Sequence, residues 1–87
     1  MPYIEKYRRE SIVSEGNIDI DSIVSWGELN FAITYMINRF IKNSNINLNY
    51  SFINSIVGVL ECAKAEFYRR VAVPYEDKKI QENGDVY

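Results

Sequence analysis

The sequence predicts an all-α protein: a helical hairpin of two long helices with short flanking helices, in a single domain over residues 1–87. Three observations carry this reading. Apolar residues recur at helical spacing over two long stretches, 29–40 and 53–71. The two prolines, Pro2 and Pro74, sit near the edges of the chain and leave its middle free for helices. No segment alternates convincingly; "INLNYSF" does so briefly, but its asparagines argue for a loop.

Residues 1–18 read as a variable N-terminal arm. Lys6, Arg8 and Arg9 are interleaved with Tyr3 and Tyr7, and Ile12 and Val13 are placed to dock on the core. Gly16-Asn17 reads as a break. Ile20, Ile23 and Val24 then fall at i, i+3 and i+4, which predicts a short helix from about Asp19 to Ser25.

In "SWGE", Ser25 and Glu28 have the spacing of a capping box. A helix starting there has the stripe Leu29, Ala32, Ile33, Met36, Ile37 and Phe40, carried to Lys42, and is about 25 Å long. "NSNINLN" ends it, because its polar side chains compete for backbone bonds.

Asn49 or Ser51 caps the second long helix. Its predicted buried stripe is Ile53, Ile56, Val57, Leu60, Ala63, Phe67 and Val71. Gly58 interrupts the pattern at a cost of about 1 kcal/mol relative to alanine; a close helix crossing is one reason to keep it. Pro74 is expected to stop this helix and to open a last short one, Tyr75 to Gln81, within a C-terminal element over residues 74–87. Asn83-Gly84 supplies the stop.

Composition bounds the function. A domain of 87 residues buries only roughly 60–65% of its unfolded surface, which leaves its stability marginal. Cys62 is the single cysteine, so no disulfide compensates. Docking onto a second copy is the usual remedy, and a homo-oligomeric bundle is the expectation. Seven tyrosines, four phenylalanines and one tryptophan are enough to furnish an interface. The net charge of −2 and pI near 5.0 argue against duplex nucleic acid as a partner. No apolar run approaches the roughly 18–20 residues of a membrane span. "MPYIEKYRRE" lacks the apolar region of a signal peptide, and a lone cysteine suits a reducing cytoplasm. "NYS" at 49–51 matches a glycosylation sequon, but a helix start is its simpler reading.

The absence of histidine removes the commonest general base and the usual transition-metal ligand. One cysteine cannot build a zinc site, and Cys62 reads as a small buried side chain. Glu61 and Glu66 are five apart, off a common helix face. Glu61 and Lys64 suit a solvated i, i+3 pair. Asp19 and Asp21 sit where acids favour a helix dipole. No phosphate-binding glycine loop is present. The reading is of no catalytic residue, no metal and no cofactor.

What remains is "EFYRRVAVPYEDKK". Arg69 and Arg70 point about 100° apart on a helix, and arginine forks suit phosphates and carboxylates. Tyr68 or Tyr75 suits stacking on a base, Lys78 or Lys79 suits closing a site from the tail, and Asn83 suits reading polar ring edges. The alternative is structural: basic residues complement the end of a helix dipole, and either arginine pairs with Glu76 or Asp77. Both readings stand at this point.

"GELN" at 27–30 and "GVLECAKAEFYRRVAVPYEDKKIQENGDVY" at 58–87, with the opening "MPYI", resemble a family of short bacteriophage and prophage proteins. The resemblance covers residues 1–4 and 27–87, and is weak over 5–26. It transfers no catalytic residue. It implies a phage accessory protein acting in the host bacterial cytoplasm. By analogy with such proteins, the expected role is counter-defence, by sequestering a nucleotide-like anionic signal in a helical homo-oligomer. The alternatives are a protein inhibitor of a host defence or replication protein, and a small Mg²⁺-dependent nucleotide hydrolase.

Overall fold

The computed structural model describes residues 2–87. The chain divides into two compact units, Met1–Ile46 and Asn47–Tyr87, and each has its own organisation. Helices dominate both, so the all-α expectation holds in outline, with one small β-hairpin added.

In the first unit, α1 spans Lys6–Ile12 and leads directly into β1, Val13–Ser14, which pairs antiparallel with β2, Asn17–Ile18. Val13 faces Ile18 and Ser14 faces Asn17 across a two-residue turn. Glu15 (φ 53°) and Gly16 (φ 81°) both lie in the left-handed region. That conformation matches the twist of tight hairpins, and Gly16 adopts it without steric cost. The predicted break at Gly16-Asn17 is therefore the turn of a hairpin. The Asp19 N–H donates to the Ile12 carbonyl at 2.7 Å and extends the pairing by one bond.

The helix expected from Asp19 to Ser25 is only a single 3-10 turn, Ile20–Ser22. Asp19 caps this turn, its carboxylate accepting from the Asp21 N–H at 3.2 Å and from the Ser22 hydroxyl at 2.7 Å, and the chain returns to extended conformation at Ile23 (φ −81°, ψ 113°) after that one turn.

Ser25 then caps α2, Trp26–Asn43, its hydroxyl accepting from the Glu28 N–H at 3.1 Å. α1 packs against α2, and the buried side chains of this unit are Ile12, Ala32 and Glu28. The predicted α2 stripe is buried only at Ala32. Ile37 is half-buried, whereas Leu29, Ile33, Met36 and Phe40 are exposed. The covering element, α1, is only seven residues long.

The second unit is one helical rod. Asn49 caps it, its side chain accepting from the Phe52 N–H at 2.9 Å. α3 runs Tyr50–Phe67, a π-turn follows over Tyr68–Ala72, and α4 continues as Val73–Asn83. Pro74 does not stop the helix. In a regular α-helix its ring would meet the carbonyl of Arg70. Here the Val73 N–H instead reaches the Tyr68 carbonyl, five residues back, which widens the turn around the ring. The final helix is accordingly continuous with α3, rather than a separate element over Tyr75–Gln81. Gly84 (φ 87°) ends it, as the Asn83-Gly84 pair predicts.

No residue of the rod is buried. Ile56 is half-buried, and Ile53, Val57, Leu60, Ala63, Phe67 and Val71 are exposed. Cys62, expected inside, is exposed too. The periodicity marks an apolar face, but the expected burial does not follow, because this unit contains no second element to cover it. Among the described residues no helix is long and apolar enough to cross a membrane.

Candidate functional site

The chemistry-bearing side chains of the rod cluster at and after the π-turn. Extra backbone in that turn sets which of them meet. The Tyr68 hydroxyl donates to Glu76 Oε1 at 2.8 Å, bridging eight residues across the widened turn. The bond to the Glu76 carboxylate, with its nearby negative charge, raises the pKa of Tyr68 above the ordinary tyrosine value.

Arg69 and Arg70 share one acid. Arg69 Nη2 lies 2.8 Å from Glu66 Oε1, and Arg70 Nε is 4.0 Å from the same oxygen. The sequence pointed to Glu76 or Asp77 as the partner. The structure places it one turn earlier, because the i, i+3 and i, i+4 positions before the π-turn keep regular helical spacing. One carboxylate against two guanidinium groups leaves a net positive charge there. All three side chains are exposed.

On the far side of the π-turn, Tyr75, Lys79 and Asn83 recur at i, i+4 and i+8 and so share one face. Lys79 Nζ stands 5.5 Å from the centre of the Tyr75 ring, within cation–π range. It also pairs with Glu82 at 3.3 Å. Gly84 turns the chain so that Asp85–Tyr87 sit beside this face, and the Tyr87 N–H donates to Asp85 Oδ1 at 2.9 Å. Tyr75, Lys79, Asn83 and Tyr87, together with the carboxylates Glu76 and Asp85, line an open depression of about 330 Å³. Of the predicted site residues, Tyr68, Arg69, Arg70 and Lys78 lie outside its lining. Lys78 has no ion-pair partner among the described residues.

Two further features lie in the first unit. Arg8 grips Glu28 with two prongs, Nε to Oε2 and Nη2 to Oε1, both at 3.0 Å. Arg8 Nη2 also donates to the Ser22 carbonyl at 2.7 Å, and the Val24 N–H donates to Glu28 Oε1 at 3.0 Å. The guanidinium bonds, reinforced by that backbone N–H, hold the Glu28 carboxyl below the ordinary glutamate range. The same bond raises the pKa of Arg8. Capping-box spacing marks Glu28 in the sequence, although its carboxylate reaches Val24 rather than Ser25. Nothing in the spacing marks Arg8, twenty residues away.

The second feature is a shallow groove of about 520 Å³ lined by Ile20, Ile23, Val24, Trp26 and Leu29. Trp26, 89% exposed, stands at its edge.

No group of three histidine, cysteine, aspartate or glutamate side chains placed to hold a metal occurs among the described residues. A protein-family model, described as a domain of unknown function, DUF6899, matches residues 1–86. The chain belongs to the DUF6899 family. The match takes in both units of this DUF6899 chain, so the hairpin unit and the helical rod are parts of one family architecture. No curated protein and no solved structure matches it.

Proposed function

We propose that this DUF6899 chain is a non-enzymatic binding protein that self-associates through its helical rod and captures a small anionic, nucleotide-like ligand at the C-terminal end of that rod. The observation that carries the reading is the pairing of cation and aromatic ring on one open face. Lys79 over Tyr75, with Asn83 one turn on, offers a charge for a phosphate, a ring for a base and an amide for polar ring edges. The excess positive charge at Arg69 and Arg70 adds attraction for an anion in a chain that is negative overall. The resemblance to phage proteins supports a counter-defence role in a bacterial host, in which the ligand is a signal to be sequestered.

A thermal-shift panel of cyclic and linear nucleotides tests this. A ligand at one hundred times its Kd stabilises the folded state by about 2.7 kcal/mol, which raises the melting temperature measurably. A folded protein whose melting temperature stays flat across the panel at high micromolar ligand contradicts the reading.

The groove beside Trp26 favours a second reading, a protein inhibitor of a host defence or replication factor. A solvent-exposed tryptophan among Ile20, Val24 and Leu29 is the kind of anchor that protein interfaces use. Stoichiometric co-purification of one host protein, lost on Trp26→Ala, would select this reading over the first.

A further inference from the structure

The apolar face of the rod has a definite length and pattern. Ile53, Leu60, Val71 and Phe67 are 39%, 41%, 51% and 65% exposed. Residues 50–60 carry no charge at all.

We infer that this face is covered by the same face of a second copy, running antiparallel and centred near Cys62, and that the second copy brings its Tyr50 beside Tyr75 at the anion site. The inference rests on the self-association in the proposed function and specifies its geometry.

The seam itself points to this arrangement. Ile53, Ile56, Leu60, Ala63 and Phe67 follow alternating steps of three and four, the spacing of a helix-pairing seam. Continued in a regular α-helix, those steps reach Arg70 and Pro74. The π-turn inserts one residue and moves the seam to Val71 and Tyr75 instead. The widened turn thus keeps a charge and a proline off the seam and an apolar side chain and a ring on it.

Side-chain sizes then select the direction. In a parallel, in-register pair, Ala63 faces Ala63 and Phe67 faces Phe67, which sets a void beside an overfilled layer. Antiparallel about Cys62, Leu60 faces the Ala63 region and Val71 faces Ile53. Phe67 falls over Val57 and Gly58, where a Cβ would find nothing within 4 Å. Opposed helix dipoles favour the same direction. The pair ends with Tyr50, 84% exposed, opposite Pro74 and next to Tyr75. Residues 75–87 run past that end and leave the depression open to ligand.

Cysteine crosslinking of the full chain tests the inference without any ligand, so its outcome is independent of nucleotide binding. In a Cys62→Ser background, Ile53→Cys and Val71→Cys chains are mixed and oxidised. Both positions lie on the seam, and the antiparallel pair sets position 53 of one chain against position 71 of the other, within reach of a disulfide. Two Ile53→Cys chains, by contrast, lie about 27 Å apart along the axis. The expected result is a 53–71 crosslinked dimer from the mixture and no dimer from Ile53→Cys alone. Self-crosslinking of Ile53→Cys overturns the direction. A monomer in sedimentation equilibrium at 100-fold concentration steps up to about 100 µM, the upper micromolar range where weak pairs form, overturns the pairing itself. Leu60→Glu, at the middle of the seam, is expected to convert dimer to monomer. If that variant unfolds, the crosslinks in the otherwise native chain still decide.

Discussion

Arg8 and Glu28, twenty residues apart in sequence, meet as a two-pronged ion pair at 3.0 Å that ties α1, the 3-10 turn and the start of α2 together. Among the described residues of the first unit it is the one ion pair that is substantially buried: the Glu28 side chain is 9% exposed and that of Arg8 27%. Ile12 and Ala32 are its only buried apolar residues among those described, so the pair stands in for core.

Removing one partner of a buried pair strands the other. Arg8→Ala and Glu28→Gln are expected to lower the melting temperature of the chain by ~10 °C, read by circular dichroism. Arg8→Lys is expected to recover little, because an ammonium cannot match both carboxylate oxygens and the Ser22 carbonyl at once. A variant with unchanged melting would show that the pair is incidental.

The same pair gives the stability a pH dependence. The folded pKa of Glu28 is depressed, so its contribution is fully present above the ordinary glutamate pKa and is lost as pH falls through the folded value. Denaturant midpoints measured from neutral to acidic pH are expected to fall in that acid window. Glu28→Gln is expected to flatten that part of the curve.

Tyr68 behaves in the opposite sense. Its pKa is raised by Glu76, so the stabilisation from its bond is present below the ordinary tyrosine pKa and is lost as pH rises through the folded value. Absorbance titration is expected to show one tyrosine ionising later than the rest, and Glu76→Gln is expected to bring it back among them. Seven tyrosines titrating alike in both proteins would contradict the bond.

Pro74→Ala restores the missing N–H and removes the ring that the π-turn accommodates. The helix is expected to become regular, with a small gain in far-ultraviolet helical signal. Arg70 then rotates toward the seam and Val71 away from it, so self-association is expected to weaken by about tenfold or more as a desolvated charge meets an apolar face. Sedimentation equilibrium reads this directly. Tighter association of Pro74→Ala would remove the π-turn from the account.

The sequence was informative where the cause is local. Ser25, Asn49 and Gly84 act as helix caps and stop because each bonds or bends within a few residues of itself. The apolar stripes of both long helices were legible for the same reason, since periodicity is a local property. Coverage is not. Whether Cys62 or Leu60 is buried depends on what packs against it, and the rod has no such element in its own unit. Pro74 misled because the usual rule that proline stops a helix omits the π-turn as a way past the ring. Arg8 was hidden because its partner lies far along the chain. At the candidate site, the clustering of Arg, Lys and Tyr was visible, but the sorting was not. The π-turn assigns Arg69 and Arg70 to Glu66 and puts Tyr75, Lys79 and Asn83 together.

The central claim is that the C-terminal end of the rod binds a small nucleotide-like anion without turning it over. Calorimetric titration of the native chain against cyclic and ADP-ribose-type nucleotides, paired with the Lys79→Ala and Arg69→Ala/Arg70→Ala chains, tests it most directly. The account predicts saturable heat at a fixed ratio of ligand to chain, an unchanged ligand recovered afterwards, and affinity about tenfold or more lower in each variant. Absence of heat from the folded native chain across the panel, or conversion of the ligand to product, would contradict it.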